Sequence, residues 1–139
     1  MKKLPRSEDT LLLRTDFSDD DAWADLCEAI QQPSEEGFRA FVDCISDPTY
    51  DGLTVEQLVI LAPKGGDYTF AFLADRVTLT NPELPVLVVD LYDEPGRTFR
   101  VIPSELWGVE NNLSLANMDY AEFAECVDAD GVFRGFPPE

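Results

Sequence analysis

The stretch that decides the fold is Pro85-Val86-Leu87-Val88-Val89-Asp90-Leu91-Tyr92. Most of its side chains are large and apolar, and its valines are β-branched, which is typical of a strand buried on both faces. Turn-forming residues bound it, with Asn81-Pro82 upstream and Asp93-Glu94-Pro95-Gly96 downstream. We therefore predict that this stretch is the central strand of a sheet, on which the rest of the chain packs.

The segments before this strand alternate between strand-like and helix-like patterns. We predict strands at 11–15, 38–45 and 68–74, and helices at 18–31 and 54–62. Ser18 is the expected N-cap of the first helix, because three aspartates follow it in the first turn. The segment 38–45 also fits a helix, but its length favours a strand. Val77-Thr78-Leu79 is expected to continue or return from the third strand.

The segments after the central strand predict a hairpin and short helices. Glu94-Pro95-Gly96-Arg97 has the Pro and Gly of a type II turn, so a strand at 98–102 should pair with the central strand. One helical turn is predicted from Pro103 to Trp107, and 110–117 is predicted to be irregular or briefly extended. A last helix begins after Asp119, and an edge strand at 132–136 follows.

This order of elements predicts an α/β protein. The βαβαβ first half should form parallel strands by right-handed crossovers, and the second half should be an antiparallel meander, giving one mixed central sheet with helices packed on it. A two-layer α+β arrangement is the alternative. Residues 1–10 are charged and unpatterned, so we expect a flexible N-terminal tail there and a single globular domain over 11–139.

Charge is the most pronounced bulk feature of the 139 residues. The chain has 10 basic and 28 acidic residues, a net charge of −18, and no histidine. The missing histidine excludes Ser-His-Asp triads and imidazole metal ligands. The negative field disfavours direct binding to nucleic acid or anionic membranes and favours basic proteins or cations. Acidity that serves only solubility is the alternative.

The cysteines and the apolar segments bear on the location of the protein. Cys27, Cys44 and Cys126 are odd in number and widely spaced, so we predict free, buried thiols rather than a disulfide framework or a zinc site. No apolar run approaches the roughly 18 residues that span a bilayer. The N-terminal residues lack the apolar core of a secretory signal. A cytoplasmic location is therefore expected.

Carboxylates follow three of the predicted strands. They are Asp16, Asp47 and Asp75, with Arg76 beside the last. If these strands are parallel, their carboxyl ends meet at the edge where open α/β sheets bind ligands, so these four residues are the predicted ligand-binding set. Asp16 with 19–21 resembles a cation site, but helix capping already accounts for 18–21. We predict neither a metal nor a cofactor.

A second candidate surface follows the predicted hairpin. It consists of Trp107, Glu110, Asn111, Asn112 and Asn117, an aromatic residue beside a carboxylate and several amides. Such a segment is either a partner-binding loop or a turn that satisfies its own amides. A third feature, Asp90, is predicted to accept hydrogen bonds from turn amides or to pair with Arg97 or Arg100.

Five stretches carry a resemblance to a known family. They are 11–17 (LLLRTDF), 50–58 (YDGLTVEQL), 99–107 (FRVIPSELW), 109–119 (VENNLSLANMD) and 131–136 (GVFRGF). In these, the chain resembles an uncharacterised family of small acidic bacterial proteins grouped as a domain of unknown function. The resemblance extends from Leu11 to Phe136 and implies no activity or catalytic residues.

Together these patterns predict a non-enzymatic cytoplasmic interaction protein whose acidic surface binds a basic or cationic partner. An inhibitor or immunity protein of a basic toxin is the sharpest form of this prediction. The alternative is a small-molecule binder or carboxylate-dependent enzyme that uses the carboxyl edge of the sheet. Neither reading predicts an oligomeric state.

Overall fold

A computed structural model describes residues 3–63 and 65–136. Its strands are β1 (Thr10–Arg14), β2 (Val42–Ile45), β3 (Phe70–Ala74), β4 (Val86–Asp90), β5 (Thr98–Val101) and β6 (Val132–Phe133). Its helices are α1 (Asp20–Gln31), α2 (Val55–Leu61), α3 (Arg76–Thr80), α4 (Pro103–Ser114) and α5 (Tyr120–Ala124), with a 3-10 turn at Pro48–Tyr50. The first two residues of the predicted tail, Lys64 and 137–139 lie outside the described residues.

The strands form one mixed sheet in the order β2-β1-β3-β4-β5-β6. β1 pairs with β2 and β3 in parallel, while β4 is antiparallel to both of its neighbours. This confirms the α/β class, and β4 lies inside the sheet as predicted. The antiparallel meander ends at β5, because β6 is parallel to β5. Parallel neighbours need a long crossover, and α4 and α5 provide it.

Helices cover both faces of the sheet, because the chain passes from β1 outward to β2 and then back across to β3. Right-handed crossovers in opposite directions place their helices on opposite faces. The three consecutive leucines of β1 pack into the apolar cores on both faces of the sheet, since side chains alternate along a strand. Leu12 packs with Leu26 of α1, whereas Leu11 and Leu13 pack with Leu58 of α2.

Two segments that were predicted to be extended or irregular are helical. In α3, the Asp75 carboxylate accepts hydrogen bonds from the Thr78 amide and hydroxyl (both 3.0 Å), so 76–80 coils instead of continuing β3. In α4, Leu106, Val109 and Glu110 are buried on one face over 12 residues. Burial of that face outweighs the weak helix propensity of the asparagines.

Smaller differences concern α1 and β2. Asp19, rather than Ser18, caps α1, because its carboxylate accepts from the Ala22 amide at 3.0 Å. β2 begins only at Val42, and the aromatic side chains of Phe38 and Phe41 in the preceding segment are exposed.

Residues 3–9 lie on the α2 face, the face of the sheet that α2 covers. The Tyr50 hydroxyl donates to the Lys3 carbonyl (2.6 Å), and the Tyr68 hydroxyl donates to the Pro5 carbonyl (2.7 Å). Leu4 packs beside the apolar cluster on this face.

Candidate functional site

The carboxyl edge of the sheet collects the strand-end residues Asp16, Asp47 and Asp75, because β1, β2 and β3 are parallel. Arg76 begins α3 at the same edge and is exposed. The topology therefore places the predicted set on one side of the molecule. What each side chain bonds to decides whether it is free for a ligand.

Asp75 is engaged by an arginine of β5. Its carboxylate accepts two hydrogen bonds from Arg100, at 3.0 Å from Nη1 and 2.7 Å from Nη2, in a partly buried ion pair. Arg100 Nη1 also donates to the Pro85 carbonyl at 3.1 Å, which ties α3 to the start of β4. Burial, the largest single influence, raises the pKa of Asp75, but the hydrogen bonds from Arg100 and Thr78 together outweigh it and lower that pKa.

We expect Asp75→Asn to lower the free energy of unfolding at neutral pH by about 2 kcal/mol, because a charge-assisted pair is lost. The folded-state pKa of Asp75 is lowered from 3.8. The stabilisation is therefore complete above the unfolded-state pKa and disappears as pH falls through the folded-state pKa. Urea denaturation of both proteins from neutral to strongly acidic pH measures this difference.

Asp47→Asn is the matched control, since Asp47 is also a strand-end cap but has no arginine partner among the described residues. It should cost about 1 kcal/mol or less. A difference between wild type and Asp75→Asn that stays constant at all pH values contradicts the assignment.

The other carboxylates of the edge make local bonds. Asp47 caps the 3-10 turn by accepting from the Thr49 amide at 3.0 Å, and Asp16 accepts from the Ser18 hydroxyl at 2.9 Å. Buried Arg14 organises the β1 end, because its guanidinium lies 4.5 Å from the Phe17 ring and donates to Asp20 at 2.8 Å. Most of this edge is thus held by bonds within the chain.

A shallow groove of about 660 Å³ lies beside this edge, on the α2 face. It is lined by Thr49, Asp51, Gly52, Leu53, Gln57, Ile60 and Leu61. None of the four predicted edge residues lines it. The edge and the groove are therefore separate features.

Four of the five residues in the second predicted set lie on α4, and three of these contact the segment before β2. The Trp107 ring stacks on Phe38, with centroids 5.1 Å apart and planes 10° apart. Glu110 is only 3% exposed and accepts from the Phe41 amide at 2.8 Å. Asn111 donates to the Arg39 carbonyl at 3.1 Å. Their spacing of i, i+3 and i+4 puts all three on one side of α4.

The remaining two members do not reach that segment. Asn112 donates to the Gly108 carbonyl one turn earlier in α4, at 2.8 Å. Asn117 is exposed beyond the end of α4, next to Ala116, whose φ of 56° ends the helix in a left-handed conformation. The structure therefore divides the predicted set into a clamp (Trp107, Glu110 and Asn111) and two peripheral amides.

The clamp holds an aromatic patch, consisting of Phe38, Phe41 and Trp107, at the surface. Phe38 is 51% exposed and Phe41 is 56% exposed, while Trp107 is half-buried. Two grooves flank the patch, and Pro33 lines both: one of about 450 Å³ includes Trp107, and one of about 380 Å³ includes Phe38 and Phe41. The patch adjoins β2, one of the two edge strands of the described sheet.

Sequence reasoning missed Phe38 and Phe41 as surface residues, because it assigned both to a strand. The glycine at Gly37 and the charge at Arg39 were signals against a buried strand there. Asp90 was predicted correctly: its carboxylate accepts from the Tyr92 amide and the Glu94 amide, both at 2.9 Å.

In the described part of the chain, no group of three or more cysteine and acidic side chains could hold a metal ion. Over residues 3–63 and 65–136, no helix is long and apolar enough to cross a membrane.

Comparison with known proteins places the chain in a family. The family model described as domain of unknown function (DUF6924) matches residues 9–136, which is nearly the whole chain. No curated protein matches. The matched range contains the clamp, the aromatic patch and the carboxyl edge, and on its extent the chain belongs to the DUF6924 family of proteins.

Proposed function

We propose that this protein is a non-enzymatic interaction protein whose acidic surface binds a basic protein, with the aromatic patch as the anchor. The patch carries the proposal. Phe38 and Phe41 are half exposed, whereas the phenylalanines of β3, β5 and α5 are buried. Rigidly held aromatic side chains at a surface commonly supply much of the binding energy of an interface.

The charge distribution supports a basic partner. Among the residues that the structure describes, four arginines are in ion pairs: Arg14 with Asp20, Arg97 with Glu94, Arg100 with Asp75, and Arg134 with Glu83 and Asp128. Most of the described carboxylates have no such partner, and the net charge of the full sequence is −18. An acidic field of this kind accelerates association with a basic protein and disfavours acidic ones.

Helix α1 presents part of this charge as a stripe, defined as Asp21, Asp25 and Glu28. All three are exposed and recur at i, i+4 and i+7. The stripe lies opposite the face on which Leu26 and Ile30 pack against the sheet. The same helix leads into the segment that carries Phe38 and Phe41, so charge and anchor lie on neighbouring parts of the chain.

The sharpest form of the proposal is an inhibitor of a basic toxin in the bacterial cytoplasm. A protein that binds phosphate backbones must present a basic surface, and an acidic protein competes for that surface. The three cysteines are free, in keeping with a reducing compartment. The alternative of a ligand site at the carboxyl edge gains no support, since Asp75 and Asp47 are already bonded within the chain.

The test is capture of partners on the immobilised full-length protein at low salt, followed by calorimetric titration of the purified partner at two salt concentrations. We expect a basic partner and an affinity that falls as salt rises. Phe41→Ala should weaken binding by about 30-fold, the effect of losing one anchor residue, with little change in Tm. The proposal is refuted if only acidic or neutral proteins are captured and the affinities of their complexes do not change with ionic strength.

Two matched controls locate the surface. Ile60 is 63% exposed on the opposite face of the sheet, so Ile60→Ala should leave the affinity unchanged. Reversal of the three charges of the α1 stripe to lysine should weaken binding and flatten its salt dependence. Changing Glu56, Asp67 and Asp93 to lysine alters the net charge equally, but it should weaken binding and flatten the salt dependence much less. If Ile60→Ala is the damaging change, the groove on the α2 face is the binding surface.

A further inference from the structure

We propose that the outer edge of β2 accepts an extended strand of the basic partner, antiparallel to β2 and with a lysine or arginine opposite Asp43. This inference rests on the proposed function for the charge of the partner, and it names the element by which that partner binds. Addition of a strand to an open sheet edge is a common mode of peptide recognition, in which main-chain hydrogen bonds supply the affinity.

Pairing with β1 leaves alternate backbone groups of β2 unused. The Thr10 amide donates to the Phe41 carbonyl at 3.1 Å, and Thr10 lies opposite Val42 in the parallel register. Because only every second residue of a strand bonds a given neighbour, Asp43 bonds β1, whereas Val42 and Cys44 direct their N–H and C=O groups away from it. Among the described residues, no other segment forms a backbone hydrogen bond with these outward groups.

The opposite edge of the sheet, at β6, is closed by the chain itself. The Val132 amide donates to the Asp128 carboxylate at 3.0 Å, and the Val132 carbonyl accepts from the Asp128 amide at 2.9 Å. The loop before β6 thus uses the groups that face outward there. Proteins commonly protect an exposed edge with a covering loop, a proline or a lysine. β2 contains neither proline nor lysine, so its edge is open to another strand.

Charge decides which strand fits this edge. If two copies of β2 paired antiparallel, with Val42 matched to Cys44, the two Asp43 residues would lie directly opposite each other, about 4.5 Å apart between their Cα atoms. Like charges in that position destabilise a sheet, and each copy carries a net charge of −18. A strand with lysine or arginine opposite Asp43 makes the same interaction favourable.

The two faces of β2 determine the residues beside that basic residue. Val42 and Cys44 lie on the same face of the sheet as Leu12, and Val42 packs against the apolar core there. Residues of the added strand that pair with Val42 and Cys44 join this face, so apolar β-branched residues fit those positions. The structure therefore favours a segment of the partner that reads apolar, basic, apolar.

The test uses a capped seven-residue peptide, KTVKVTK, as the probe and follows amide exchange in the full-length protein by NMR. We expect saturating peptide to slow exchange of the Val42 and Cys44 amides. The Asp43 amide, which bonds β1, and the Val132 amide, which bonds Asp128, should not change. Methylation of the two valine amides of the peptide should abolish binding. Methylation of the central lysine amide, which faces away from β2, should not.

Two variants test the backbone and the charge separately. Val42→Pro should bind the peptide about tenfold more weakly than Val42→Ala, because proline removes one outward N–H. Proline is tolerated at the first residue of an edge strand, and the alanine variant controls for the lost side chain. Asp43→Lys should prefer a peptide with glutamate in place of the central lysine, whereas wild type should prefer KTVKVTK. If Val42→Pro fails to fold, amide exchange and the reversed charge preference decide.

The outcomes separate this inference from the proposed function. Peptide binding that leaves exchange of the Val42 and Cys44 amides unchanged, or no binding at millimolar peptide, overturns the added strand. A basic partner whose affinity falls in Phe41→Ala but not in Val42→Pro also overturns it and leaves the aromatic patch as the anchor. Protection of both amides by the peptide, without capture of any basic protein, supports the open edge and contradicts the proposed function.

Discussion

Phe123→Ala is expected to lower the free energy of unfolding by about 3 to 5 kcal/mol, the range for removing a fully buried aromatic ring. Phe123 is 1% exposed in α5, a helix of only five residues. A helix that short has no stability of its own, so packing must hold it. The Phe123 ring meets Phe133 of β6 edge to face, with centroids 5.2 Å apart. The mutation therefore loosens α5 and β6 together.

Phe136→Ala is the matched control for that prediction. The Phe136 ring also contacts Phe123, at 5.5 Å, but it is 50% exposed. Its loss removes less apolar area from water and leaves no enclosed cavity, so it should cost about 1 kcal/mol. Urea denaturation of both variants measures the difference. Similar losses for the two phenylalanines would show that Phe123 does not hold α5 in place.

Glu110→Ala is expected to lower the free energy of unfolding by about 2 kcal/mol, because it leaves several partly buried hydrogen-bond donors without their shared acceptor. The Glu110 carboxylate accepts from the Phe41 amide at 2.8 Å and from the Thr10 hydroxyl at 2.9 Å. It also accepts from the Ser114 hydroxyl at 2.5 Å and from the Asn111 amide at 3.1 Å. One side chain thus joins α4 to the segment before β2 and to the start of β1.

Glu105→Ala is the control, since Glu105 lies in the first turn of the same helix and its side chain accepts no hydrogen bond in the described structure. It should cost less than about 1 kcal/mol. Chemical denaturation gives the stabilities, and amide exchange of Phe41 reports the site directly. If the Phe41 amide stays as protected in Glu110→Ala as in wild type, Glu110 does not hold this segment.

The two predictions differ in what they change at the surface. Loss of Glu110 releases the segment that carries the aromatic patch, so partner binding should weaken along with stability. Loss of Phe123 acts on α5 and β6, so it should lower stability without removing an anchor residue. Affinities measured well below both melting temperatures separate these effects.

Features that depend on neighbours in the chain were readable from the sequence. The capping box of α2 is present, with Thr54 and Gln57 bonded to each other's backbone amides at 3.0 and 3.1 Å. The apolar run at 85–92 contains β4, and the alternation of strands with helices predicted the parallel first half. These patterns determine local conformation within a few residues, and crossover handedness restricts the rest.

Features that join distant parts of the chain were decided only by the tertiary structure. α4 is helical because one of its faces is buried, although its asparagines favour irregular structure. Asp75 bonds Arg100, which lies 25 residues away, because β3, β4 and β5 bring the two to the same edge. Trp107 meets Phe38 because the tertiary fold brings the segment before β2 onto α4. Strand register and helix position determine which side chains meet. The local sequence around a side chain does not specify them.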